Sequence, residues 1–543
     1  MNLCYLPMAG TSSPLSGATR PCVRLINIFE SAFDNFVATA RTCYSGKGVV
    51  TPEDVRGPSD QTPEDIELRM ARKVGLARSL YKAGHHTTLQ HCHIQFALEG
   101  VSRQALWSFF HAHPFYNSEQ VSQRYVPVKS GHFFIPEGVE QAGQTDYFLA
   151  EAQARMEEYR QLASLLEAVV AEEYYARFRG RHNTKRALAD IQKRSQEAAR
   201  YVLPISTTAY LYHTISLLTL LRYWRLAHRN DCPAEVKTIV AQMVDALLAE
   251  DPQFAEILEE PLPHEDPTEH SPSLSGIAPL DRTRAALWIQ QFDKQMGGKT
   301  SILVDRGQAN ESLLAESVRE VLGLSLSELS EEAAISMALN PSENRLLGES
   351  LSLVTLSKIG RCLHHPRYVF RKCLSHAADS QDQRHRMTPG SRPDLIRHYT
   401  GQPDYITPAP VARNLEANAL YKRSMEASWA CVEHLLTHGV SPEAALYMLP
   451  NALKIRFTES SDLLNLHHKM AMRLCWNAQE EIWRASVDEA SAIQKVEPQI
   501  GRWLLPPCGL RKAAGTRPIC PEGDRYCGVP VWRQERDTWN RVI

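Results

Sequence analysis

Residues 381–393 read Gln-Asp-Gln-Arg-His-Arg-Met-Thr-Pro-Gly-Ser-Arg-Pro. Arg384, His385 and Arg386 are three adjacent cationic or protonatable groups, and such groups repel one another. They need a negative ligand opposite them or solvent around them. The chain breaks directly afterwards at Pro389-Gly390. Further on, Asp462 and Arg473 are eleven residues apart, about three helical turns, so one helix carries both on the same side with His468 close by. A guanidinium is always charged and can hold negative charge on a ligand, although the spacing alone also fits an Asp/Arg pair on a solvated face. A third group lies in the tail, where Cys508, Cys520 and Cys527 sit among Gly and Pro. Little apolar periodicity is there to hold such a segment by burial, and a structural zinc would do so, with an iron–sulfur cluster second. Three thiolates need a fourth ligand, a His or Cys475 from the body. The plain alternative is three unligated thiols in a docked tail. Cys475 itself reads as a small buried residue.

The chain that must position these groups has 543 residues, 43% hydrophobic and 22% charged, with a net charge of −2. That length allows two or three domains. The balance of charge argues against a polyanion-coating or membrane-surface protein, so a bound phosphate would sit in a local pocket. No apolar run reaches the ~18 residues of a membrane span, and the start lacks a secretory pattern. A cytoplasmic protein is expected, with its 12 Cys mostly reduced.

Features recur in order. The strand-then-helix pattern of 23–46 returns at 300–323, with Arg319 placed like Arg41. His91 precedes Ser102 by the same eleven residues that separate His364 from Ser375. "YVLPISTTAYLY" is paralleled by "YMLPNALKIRFT". We read a flexible lead-in (1–21), a first repeat (22–258), a Pro- and acid-rich linker (259–285), a second repeat (286–500) and a Cys-containing tail (501–543). The fold class expected is α+β: two tandem, mostly helical repeats, each with a small sheet, packed as a pseudo-dimer. His85, His86, His91 and His93 form a His-rich turn read as capping contacts, or contacts to the edge of a bound cofactor, before metal.

The motifs "ARTCYSGKG", "GVSR", "SQRYV" (122–126), "ARYVLP" (199–204), "QDQRHR" and "MRLCWNAQEEI" (472–482) resemble those of the flavin-dependent (alternative) thymidylate synthases. The resemblance spans most of the chain as a divergent tandem duplication. It implies methylation of dUMP at C5 to dTMP, with FAD as cofactor and methylenetetrahydrofolate and NADPH as co-substrates. Carried over residue by residue, it makes Arg473 catalytic. Arg384, His385, Arg386, Asp462 and His468 would bind the flavin. Gln381, Arg384, Gln120, Ser122, Arg124 and Arg200 would bind the nucleotide.

Both copies depart from the pattern. The first has His-Ala-His at 111–113 and leucines near Leu218 and Leu220. The second has Asp462-Leu463-Leu464 for Asn-x-Arg, and Leu446 where the first has Arg200. Each keeps what the other has lost, which suggests one composite site per chain. In the family each nucleotide site is shared between subunits, so a homodimer forming a pseudo-tetramer is expected, with neither nucleic acid nor membrane as partner. Two other readings stay open: flavin-dependent alkylation of a different pyrimidine nucleotide, and a catalytically silent homologue kept as a binding or assembly protein.

Overall fold

The stretch Arg367–Ser375 alternates exposed and buried positions, the period of a half-buried strand. Tyr368, Phe370 and Leu374 point inward as expected, and so does Lys372. A lysine on the core face of a strand is unusual and demands buried partners. This computed structural model describes residues 18–112, 115–128, 131–227, 233–263, 276 and 278–543. Most of the lead-in, His113 of the His-Ala-His segment, and linker residues 264–275 and 277 lie outside the described residues.

Two four-stranded antiparallel sheets share one topology. The first contains β1 (Cys22–Ile28), β2 (His93–Ser102), β3 (Tyr116–Gln120) and β4 (Thr208–Ser216), in the order β1-β2-β4-β3. The second contains β5 (Ser301–Arg306), β6 (Arg367–Ser375), β7 (Gly390–Ser391) and β8 (Lys454–Asp462), in the order β5-β6-β8-β7. The registers start alike, with Ser102 opposite Thr208 and Ser375 opposite Lys454, before a bulge between Leu98 and Val101 shifts the first by one residue. The protein is α+β and mostly helical, two tandem copies of one plan, in agreement with the sequence.

Equivalent helices follow equivalent strands. In the first copy these are α1 (Arg103–Ala112), α2 (Leu217–Arg225) and α3 (Pro233–Glu250). In the second they are α4 (His376–Asp382), α5 (Leu463–Arg473) and α6 (Glu480–Val496). Ser216 caps α2 and Asp462 caps α5, each accepting from a backbone N–H of the first turn.

The compact units interleave the two repeats. One comprises Met1–Ala154, Pro204–Pro279 and Cys431–Met448, and the other Arg155–Leu203, Leu280–Ala430 and Leu449–Ile543. Each unit therefore borrows a segment from the opposite repeat. In the first unit, Phe33, Phe36, Phe96 and Phe254 are fully buried, with the Phe33 and Phe254 rings 5.3 Å apart. In the second, Leu314, Val318, Tyr368, Phe370, Leu466, Met470 and Ile493 belong to one apolar cluster. The tail is part of this unit. Trp476, Trp483, Cys527 and Val531 form a further buried cluster against which Cys508, Tyr526 and Trp539 pack. The tail thus has more apolar burial than its Gly and Pro content led us to expect. No helix among the described residues is long and apolar enough to cross a membrane.

Candidate active site

The second unit holds a pocket of about 390 Å³ between the α4–β7 connection and α5. Arg384, His385 and Arg386 line one side with Met387 and Thr388, and Asn465, His468, Met472 and Arg473 line the other. The two segments read from the sequence as charged ligand-binders therefore meet at one cavity. None of its lining residues is acidic. Met387 and Met472 are 58% and 47% exposed, so apolar side chains stand open beside the cations.

Arg473 is held from beneath. Its Nη2 donates to the Gln381 carbonyl at 2.8 Å, and its Nε lies 3.9 Å from Asp382 Oδ1. The His385 and His468 rings meet edge to face, centroids 6.1 Å apart. Burial pushes the His385 pKa well below the usual histidine range, and Arg473 pushes it further the same way. His468 is lowered by the same two causes. Both imidazoles are therefore neutral near pH 7 and able to accept as well as donate.

Asp382 lies in a buried ionic cluster that the sequence analysis did not single out. Lys372 contacts Asp382, Glu459 and Glu489 at 3.3, 2.8 and 2.8 Å. Lys469 contacts Asp382 at 2.8 Å and is paired with Glu459. Arg392 pairs with Asp379 at 2.8 Å and lies over the Phe457 ring. Burial raises the Asp382 carboxyl, but Lys372 and Lys469 outweigh it and hold it well below the usual range. Such a cluster is costly to desolvate and is retained where geometry matters.

The chain break after Arg386 also has a structural reason. Pro389-Gly390 leads into β7, whose Gly390 pairs with Glu459. A Cβ on Gly390 would stand 2.1 Å from Arg392 Nη1 and 3.2 Å from the Phe457 ring. The glycine lets the Arg392 guanidinium reach the buried acids.

Comparison of the two copies is informative. Counted from their shared caps and serines, Asp382, Glu459, Lys469 and Glu489 correspond to Phe109, His213, Tyr223 and Met243, and Lys372, opposite Phe457, corresponds through the sheet register to Leu98, opposite Leu211. There the Phe109 and Tyr223 rings are 4.3 Å apart, and Phe109 and His213 are 5.5 Å apart. Burial alone lowers His213 to about 3. What is ionic in the second unit is an aromatic core in the first, and Ala227 stands where the second copy has Arg473.

The remaining expected site residues are placed as follows. Asp462 caps α5, accepts from Asn465 and pairs with His364 at 3.0 Å, so its carboxylate is engaged, and it is not among the residues that line the pocket. Leu464 is in the core. Gln381 contributes its carbonyl to Arg473. Arg200 is buried in the second unit, and its carbonyl accepts from Asn451 Nδ2 at 3.1 Å. Gln120, Ser122 and Arg124 fall in the first unit. Gln120 accepts from Arg103 at 3.0 Å, Ser122 Oγ accepts from the Arg124 N–H, and Arg124 lies over the Tyr125 ring. In the His-rich turn, the His86 ring hydrogen-bonds the Tyr81 carbonyl.

The repeats exchange a tyrosine. Glu481 accepts from the Ser375 N–H at 2.5 Å and from Ser375 Oγ and the Tyr201 hydroxyl, both at 2.6 Å. In the other unit Glu235 accepts from the Ser102 N–H, Ser102 Oγ and the Tyr447 hydroxyl at 2.8, 2.6 and 2.7 Å.

Comparison with known proteins follows the same lines. The flavin-dependent thymidylate synthase of Mycobacterium tuberculosis is 31% identical over 140 residues, 26% of this chain and 51% of that protein. The protein of the same description from Geobacter sulfurreducens is 29% identical over 170 residues, 31% of this chain and 70% of that one. This chain thus spans about half the length of the mycobacterial relatives it matches. A solved structure of the UMP/dUMP methylase PolB from Streptomyces cacaoi with 5-Br dUMP is 17% identical, covering 44% of this chain and 94% of that one. Its TM-score of 0.32 carries no argument. The thymidylate synthase complementing protein profile matches residues 24–253 and again 306–499, most of the sequence in two copies. The chain belongs to that family, the flavin-dependent thymidylate synthases, as a tandem duplication.

Proposed function

We propose that the protein methylates dUMP at C5 to give dTMP, with methylenetetrahydrofolate as carbon donor and NADPH as the source of electrons. The observation that carries this reading is the cationic pocket itself: three arginines and two neutral imidazoles, with no acid among the lining residues. A phosphate-bearing heteroaromatic fits it. Arg384 and Arg386 suit a phosphate or pyrophosphate, and the exposed Met387 and Met472 side chains suit a flat ring. The donor set accommodates FAD, because Asp462, the one acid on the expected flavin helix, is tied to His364 and Asn465. When bound, FAD supplies the hydride that completes the methyl group.

The chain's own residues bind and polarise. Arg473, braced by Gln381 and Asp382, offers a fixed guanidinium to negative charge developing at O2 and N3 of the pyrimidine. His385, kept neutral by burial and by Arg473, presents a ring nitrogen without adding a further positive charge. The buried lysines keep Asp382 ionised, so that the brace under Arg473 holds its charge.

The test is tritium release from [5-³H]dUMP with FAD, NADPH and methylenetetrahydrofolate, run on the wild type and Arg473→Ala. Turnover in the wild type, lost by at least ~100-fold in the variant with dUMP binding changed far less, is expected. Turnover surviving in Arg473→Ala overturns the assignment of Arg473. Turnover on another pyrimidine nucleotide but not dUMP moves the reading to alkylation of that substrate. FAD binding without turnover on either would mark a silent homologue.

A further inference from the structure

Four cysteines of the second unit line a single small cavity of about 20 Å³. Cys475 lies just past the end of α5, Cys508 lies in the helix Pro507–Ala513, and Cys520 and Cys527 come from the loops beyond. All four are free thiols. The volume suits one ion or water-sized body. Trp476 and Tyr526 help to wall it. A water needs two to four polar partners, and this lining offers chiefly sulfur and hydrocarbon, which suits a soft-ligand cation better.

We propose that this cavity binds one Zn²⁺ through the thiolates of Cys475, Cys508, Cys520 and Cys527. Tetrahedral coordination by four cysteines is a closed, structural site with Zn–S bonds of about 2.3 Å. Among the described residues no three metal-ligating side chains are grouped as an assembled site, so binding draws the sulfurs inward as their protons leave to solvent. The consequence is mechanical. Cys475 lies two residues beyond Arg473, so the metal would fasten the tail to the end of the helix that carries the pocket arginine. This inference does not depend on the proposed activity.

The experiment uses the full chain purified under reducing conditions with zinc supplied, and Co²⁺ as the spectroscopic probe. We expect about one zinc per chain. After exchange, we expect Co²⁺–thiolate charge-transfer and d–d bands that saturate at one equivalent, with four thiols protected from a thiol reagent until metal is removed. Cys508→Ser and Cys520→Ser should lose the bands, and Cys43→Ser, an exposed thiol elsewhere, should keep them. Three results would overturn the proposal: folded wild-type chain that takes up neither zinc nor Co²⁺ at stoichiometry, a disulfide within the four found by mass spectrometry, or stoichiometric iron with broad visible absorption. Because the wild-type titration decides the matter, misfolding of a variant leaves the test intact.

Discussion

The Tyr201 hydroxyl, from the first repeat, donates to Glu481 Oε2, from the second, at 2.6 Å in a fully buried setting. Glu481 also receives both polar groups of Ser375. Tyr201→Phe should cost about 2 kcal/mol, because the hydroxyl's bonds to Glu481 and from Gln479 are both lost while the carboxylate keeps its other donors. Glu481→Ala should cost more, about 3 kcal/mol, because three buried donors lose their acceptor at once. Urea unfolding of the two variants checks the order, and equal losses would contradict it.

The partner arrangement makes a pH prediction. Burial raises Glu235 to about 7, and the bonds from Ser102 and Tyr447 only partly oppose it. The folded chain therefore holds a proton there between about pH 4.5 and pH 7 that the unfolded chain has released. This contribution to stability is present in full below the unfolded pKa and declines as the pH rises through the folded one. Relative to Glu235→Gln, the wild type should lose up to ~3 kcal/mol between pH 5 and pH 8. A stability difference between the two proteins that stays constant over that range would rule out the assignment.

Lys469 is wholly buried between Asp382 and Glu459. Lys469→Met leaves two acids facing one another with one cation fewer, and should destabilise the protein by roughly 3–5 kcal/mol. Loss of Arg473-dependent turnover should accompany it, read by tritium release from [5-³H]dUMP on whatever fraction remains folded.

His385 titrates low because of burial and the adjacent Arg473. Arg473→Gln removes a positive neighbour, so protonation becomes easier and the pKa should rise. It should stay below the free value, since burial is the larger cause. Histidine side-chain NMR of the two proteins tests this, and an unchanged titration would place Arg473 too far from the ring to matter.

Asp462→Asn keeps a good helix cap and should change stability by no more than about 0.5 kcal/mol, whereas Asp462→Ala should cost about 1 kcal/mol. Since the carboxylate faces His364 and Asn465, FAD affinity should be nearly the same in wild type and Asp462→Asn. A tenfold change in that affinity would return Asp462 to the pocket.

The duplication was legible because strand and helix periodicities and the "YVLP"/"YMLP" segments recur in order, and the two sheets share one strand order. The pocket was legible from Arg384, His385, Arg386 and Arg473, whose charge is local and needs no tertiary partner to be noticed. Cys475 was named beside the tail thiols as one of two candidate fourth ligands, the other a His, and it lines the same cavity as they do. The ionic cluster was not, because its members are scattered from Lys372 to Glu489 and only folding brings them together. One signal was present: Lys372 breaks an otherwise apolar alternation in Arg367–Ser375. Asp462 read as a ligand because a cap and a pocket acid look alike without coordinates. The tyrosine exchange depends on segments that pack with the opposite repeat, which periodicity cannot reveal.

That exchange also sets an order of events during synthesis. The first unit needs Cys431–Met448 to be complete, yet its other segments end at Pro279. At ~5–20 residues per second, the ribosome takes very roughly ten to thirty seconds to reach the missing piece. Until Tyr447 emerges, Glu235 lacks its tyrosine donor and the nascent unit is unfinished. The first unit can therefore close only after that delay, and synonymous codons between the two segments would set its length.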